Sequence, residues 1–134
     1  MTSLQTLIGT VAALAALSAA AQSANVPVTF VGTAGTGTMA TCELSVKAQN
    51  KMDRKLLALV VEYQALDAAS GKPLAGGLNS ATVGGLAPGG NTEQPVGTAH
   101  AACERVRLQV TKTQCVTRGC QPGFAQQGLA GLQP

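Results

Sequence analysis

Alternation of apolar and polar residues organises the middle of this chain. In CELSVKAQN (42–50), Cys42, Leu44, Val46 and Ala48 alternate with Glu43, Ser45, Lys47 and Gln49. A period of two predicts a strand with one dry face, running from about Met39 to Ala48. Upstream, VPVTFVG (26–32) predicts a first strand, and Pro27 suits an edge because proline cannot donate to a ladder. The intervening TAGTGT is a link. The stretch from 53 to 68 has two readings. As a helix it would be capped by Asp53, with Leu56, Leu59, Val60, Tyr63 and Leu66 on one face. As a strand, Leu57, Leu59, Val61, Tyr63 and Ala65 alternate, and Val60, Val61 and Tyr63 favour extended backbone. The strand reading is preferred, because the signals on both sides are strands.

Further along, DAASGKPLAGGLNS reads as a turn followed by weak structure, and Ala81–Leu86 as a short strand ending in a Pro-Gly-Gly turn. NTEQPVG is expected as loop. In the last long strand, Val106, Leu108 and Val110 face one way, and Arg105, Arg107 and Gln109 the other. Residues 121–134, rich in Gly and Gln, are expected to form a mobile tail. Short strands punctuated by turns predict an all-β sandwich.

The first residues change the picture of where the domain starts. LIGTVAALAALSAAA has the length of a signal-peptide core and falls short of the ~20 residues that span a bilayer. Ala19-Ala20-Ala21 or Ala21-Gln22-Ser23 would supply the cleavage site, although MTSLQT carries no Lys or Arg. The expected organisation is therefore a signal peptide over 1–23, a sandwich over 24–120 and a tail over 121–134. No membrane span is expected after cleavage, and the expected location is the periplasm or outside a bacterial cell, including its surface.

Composition narrows the function classes. The net charge is +3, with the basic residues scattered from Lys47 to Arg118, and there is no Trp, one Tyr and two Phe. Nucleic-acid binding would want a basic stripe with stacking aromatics, so no nucleic-acid partner is expected. A core built from Ala, Leu and Val buries little area per residue and gains from cross-links. Four cysteines in a small exported domain predict two disulfides. Four cysteines allow three connectivities; Cys42 with Cys103 and Cys115 with Cys120 is the expected one. Cys103 shares parity with the polar face of its strand, so either a bulge intervenes or Cys103 precedes the strand.

Candidate chemistry is sparse. CVTRGC (115–120) would form a stapled hairpin turn, and in its functional reading it presents Arg118 and Gly119 to a partner. The cysteine spacings lack the close pairs of structural zinc sites, so no metal or cofactor is expected. His100 has no recognisable nucleophile or acid nearby, and the carboxylates Glu43, Asp53, Glu62, Asp67, Glu93 and Glu104 are spread out. GTAGTGTMA precedes a strand rather than a helix, and DAASGKP lacks the Ser or Thr of a phosphate loop. No catalytic residue is assigned.

The series CELSVKAQN, LLALVVEYQALDAASGKP, VGGLAPGG and ACERVRLQV resembles small secreted bacterial immunoglobulin-like or fibronectin III-like domains, including the interleukin-receptor mimics of bacteria. The resemblance spans Cys42–Val110. It implies an immunoglobulin-like sandwich of about seven strands that binds a protein partner or self-associates and does no catalysis. VPVTFVGTAGTGTMATCELSV also resembles the start of a chaperone–usher pilin. That resemblance implies a fimbrial subunit in which Val26, Val28 and Phe30 of segment 24–32 complete a neighbour's sheet by strand addition. The long Cys42–Cys103 interval and the absence of a C-terminal Tyr depart from the pilin pattern.

Overall fold

The computed structural model describes residues 24–134 and, within them, the side chains of all but 76–78. The expected signal peptide, 1–23, lies outside the described residues. Those described form an all-β sandwich. Its strands are β1 (Val26–Ala34), β2 (Cys42–Gln49), β3 (Leu56–Asp67), β4 (Pro73–Leu86), β5 (Asn91–Ala99), β6 (Val106–Cys115), β7 (Pro122–Gln127) and β8 (Gly131–Gln133). One sheet has the order β5-β2-β1-β7 and the other β4-β3-β6-β8. Among the described residues no helix is long and apolar enough to cross a membrane.

The alternating residues of β2 do what the pattern predicts: Cys42, Leu44, Val46 and Ala48 are buried. In β1, Val28 stands opposite Ala48 and Phe30 opposite Val46, and Val26, Val28 and Phe30 are all buried. From the facing sheet come Leu59, Val61, Tyr63 and Ala65 of β3 and Val106 and Leu108 of β6. The rings of Phe30 and Tyr63 meet edge to face across the core, with centroids 5.1 Å apart. The stretch 56–67 is a strand rather than a helix. Its start departs from strict alternation: Leu56 is fully buried and Leu57 is 57% exposed.

Both disulfides form in the expected pairing, Cys42–Cys103 and Cys115–Cys120, and no cysteine is free. The first ties the head of β2, in one sheet, to the entrance of β6, in the other. Cys103 lies in a one-turn 3-10 helix (Cys103–Arg105) just before β6, which accounts for its mismatched parity. Formed disulfides with no free thiol fit a compartment that is not reducing.

Five expectations are corrected. Pro27 does not mark an edge, because β1 pairs with β2 on one side and with β7 on the other. β2 begins at Cys42, not Met39, and Met39 is exposed in the preceding loop. β4 begins at Pro73 rather than Ala81, because backbone pairing with β3 extends through its glycine-rich half. The expected loop NTEQPVG lies within β5, an edge strand whose Pro95 sits beside a break in register with β2. The expected mobile tail belongs to both sheets: β7 pairs parallel with β1, and β8 pairs parallel with β6. Phe124, Leu129 and Leu132 pack on the core from there. Backbone hydrogen bonds supply what the small side chains do not.

Candidate functional site

The strands place three connections at one end of the sandwich: β2 to β3, β4 to β5, and β6 to β7, the last containing the stapled loop 115–120. This end, here the staple pole, is framed by two asparagines. Asn50 is fully buried, and its amide nitrogen donates to the carbonyls of Arg54 (2.8 Å), Leu86 (3.0 Å) and Ala87 (3.3 Å). Its side-chain oxygen accepts from the Met52 N–H at 2.9 Å. Its backbone N–H donates to Gly90, and its carbonyl accepts from Gly89. One residue thus fixes both the β2–β3 and β4–β5 connections.

Asn25 does the same for the stapled loop. Its amide nitrogen donates to the Gly119 carbonyl at 2.8 Å, and its side-chain oxygen accepts from the Gln121 N–H at 2.7 Å. Its own carbonyl accepts from the Lys51 N–H. On the other side of the loop, the buried Thr117 hydroxyl oxygen accepts from the Leu57 N–H at 2.7 Å. The loop is therefore held by the disulfide at its base and by hydrogen bonds on two flanks. Arg118 and Gly119 are exposed at its tip, and Gly119 has φ 80°, a left-handed conformation that favours glycine. Asn25, Lys51, Met52, Asp53, Arg54 and Arg118 line a cleft of about 310 Å³ beside that tip.

The predicted site residues are distributed unevenly around this pole. Arg118 and Gly119 are in the cleft wall. Cys115 and Cys120 close their loop, while Cys42 and Cys103 lie buried toward the opposite end. Val26, Val28 and Phe30 are not displayed for a neighbour. They are fully or almost fully buried in their own domain, on a strand paired on both sides. Donating that strand would empty the core of the donor. Asn25, Thr117, Lys51 and Arg54 belong to the pole and carried no signal in the sequence, because the topology alone brings them together.

Among the described residues no group of three or more His, Cys, Asp or Glu could hold a metal ion, and all four cysteines are oxidised. His100 is exposed. Asp67 lies at the other end. Hydrogen bonds from the Ala69 and Ser70 N–H groups, with Arg105 beside it, hold its carboxyl below the ordinary value. The Arg105 Nη2 to Asp67 Oδ2 contact is 2.7 Å. These bonds shape the β3–β4 turn. Burial pushes the Tyr63 phenol up to about 12, and its hydroxyl faces the Val96 carbonyl at 3.5 Å.

No protein-family model matches this chain, and neither the curated proteins nor the solved structures contain a significant match to it.

Proposed function

We propose that the protein is an exported, non-enzymatic β-sandwich module that binds a protein partner or assembles at a bacterial surface, in the periplasm or outside the cell. The observation that carries this reading is the staple pole. A loop closed by Cys115–Cys120, clamped by Asn25 and Thr117, presents Arg118 and Gly119 beside a cleft. Such a loop is ordered before it meets a partner, so little conformational entropy remains to be lost on binding. Polar residues here are engaged in fixing backbone rather than poised around a reacting centre. The apolar leader before residue 24 and the two disulfides support export.

A photo-crosslinking residue at Arg118 in producing cells tests this reading, with Thr98 on the strand β5 as the control position. The expected result is a discrete adduct from position 118 and none from 98. That adduct should weaken when Cys115 and Cys120 are both replaced by Ser, because the loop then keeps only its flanking hydrogen bonds. Absence of any adduct from 118, or equal adducts from both positions, would refute it. The same cells, fractionated, should yield the protein outside the cytoplasm with all four cysteines resistant to alkylation.

A further inference from the structure

The charges that look scattered along the chain are not scattered in space. Lys47 stands opposite Glu93 across β2 and β5, and Lys112 opposite Glu62 across β6 and β3. Glu43, Asp67 and Glu104 balance Lys72, Arg105 and Arg107 at the end opposite the staple pole. What remains is Lys51, Arg54, Lys55 and Arg118 against Asp53, all on the β2–β3 connection or the stapled loop. Four bases and one acid leave an excess of three, which is the whole net charge of +3.

Little at the pole neutralises this excess. The Arg54 Nε to Asp53 Oδ1 contact is 3.4 Å, between adjacent residues that are 56% and 89% exposed, a geometry that contributes little. Among the described residues Lys51, Lys55 and Arg118 make no ion pair. Lys51, Arg54 and Arg118 share the walls of the 310 Å³ cleft. Two exposed apolar side chains adjoin the loop: Leu57 at 57% and Val116 at 61%. Hydrogen bonds from the Leu57 N–H to Thr117 and from the Val116 N–H to Ala58 fix their positions.

We propose that the staple pole receives an acidic segment of a protein partner, with carboxylates among Lys51, Arg54 and Arg118 and an apolar side chain against Leu57 and Val116. This rests on the reading of the protein as a binding module and names the chemistry of its partner. Charge complementarity selects the segment. The preformed cleft favours a chain with projecting carboxylates over a flat anionic surface. All three aromatics of the protein lie elsewhere: Phe30 and Tyr63 in the core, Phe124 in β7 against it. The pole therefore lacks both the interfacial anchors of a bilayer-binding surface and the stacking groups of a nucleic-acid site.

The test uses purified, disulfide-intact protein and a fluorescent oligoglutamate peptide containing one leucine, followed by anisotropy. The controls are the same peptide with every Glu replaced by Gln, and phosphatidylserine vesicles. Binding to the Glu peptide should weaken about two- to fivefold in each of Lys51→Gln, Arg54→Gln and Arg118→Gln, as expected for exposed charge pairs. It should weaken tenfold or more in the triple variant, fall as salt is raised, and be unchanged in Lys112→Gln. Equal binding of the Gln peptide, no binding of the Glu peptide, or indifference to the triple substitution would overturn the proposal. Binding to vesicles without binding to the peptide would overturn it in favour of a lipid surface. A position-specific adduct from residue 118 alongside any of those results would leave the binding-module reading standing. The absence of that adduct would remove the reading itself.

Discussion

The sole tyrosine shows how one side chain registers the packing around it. Tyr63 is fully buried, its ring against Phe30, and its phenol is raised to about 12. In the unfolded chain it would titrate near ~10. A raised value means that the folded state holds the proton more tightly. Its contribution to stability is complete below about pH 10 and is lost as pH rises toward 12. The urea midpoint should therefore fall across that window in the native sequence and stay nearly level in Tyr63→Phe. Near-ultraviolet absorbance reads the phenolate directly, since there is one tyrosine. A native titration at the ordinary value would show that the ring is solvated. Residue type alone hinted at this burial, because Tyr63 lies in the alternating run of β3. Nothing of the kind announced Asn25 or Asn50. Each is a polar residue near a strand end, and its meaning lies in the carbonyls that distant segments bring to it. Arg118 and Gly119 were legible because a disulfide loop must present something at its tip.

At the scale of elements, the strands that alternate were readable, as was the Ala81–Leu86 part of β4, and those dominated by glycine and polar residues were not. β2 and β6 follow their patterns, and β3 follows from Leu59 to Ala65. The first half of β4, with β5, β7 and β8, is rich in Gly, Gln, Thr and Pro; few of the described side chains there reach the core, and pairing with neighbouring strands holds these segments in place. The last two form a strap that turns at 128–130 and bridges the sheets. The turn is tight: Gly128 has φ 75°, and a Cβ there would lie 2.5 Å from the Gly32 carbonyl oxygen. Gln126 accepts from the Leu129 N–H at 3.0 Å, and the Ala130 N–H donates to Val106 at 2.8 Å. Gly128→Ala therefore meets both a left-handed backbone and a close carbonyl. It should cost about 1–2 kcal/mol from the backbone conformation alone, with more from the contact. Hydrogen exchange should accelerate over 122–133 before it does so in β2 or β3. Unchanged exchange in the strap would mean that these strands contribute nothing to closing the sandwich.

For the whole molecule, the two disulfides have different work to do, and that difference can be measured. Cys42–Cys103 spans 61 residues and joins the two sheets at the end opposite the staple pole. Cys115–Cys120 spans 5 and holds a loop. In the chain-entropy model the long closure stabilises by about 4 kcal/mol and the short one by roughly 2. Against a usual total of roughly 5–15 kcal/mol, the first is a large fraction. It matters more here because the core carries two aromatic rings and otherwise aliphatic side chains of modest size. Replacing Cys42 and Cys103 by Ser should lower the urea midpoint about twice as far as replacing Cys115 and Cys120. The second variant should keep its fold, since Asn25 and Thr117 still hold the loop's flanks, but exchange faster over 116–121. Adduct formation from residue 118 and peptide binding should weaken in that variant at temperatures where the sandwich is intact. If the short staple proves the more stabilising of the two, the pole is part of the structural core, and its loop would have to be regarded as scaffold rather than as a presented surface.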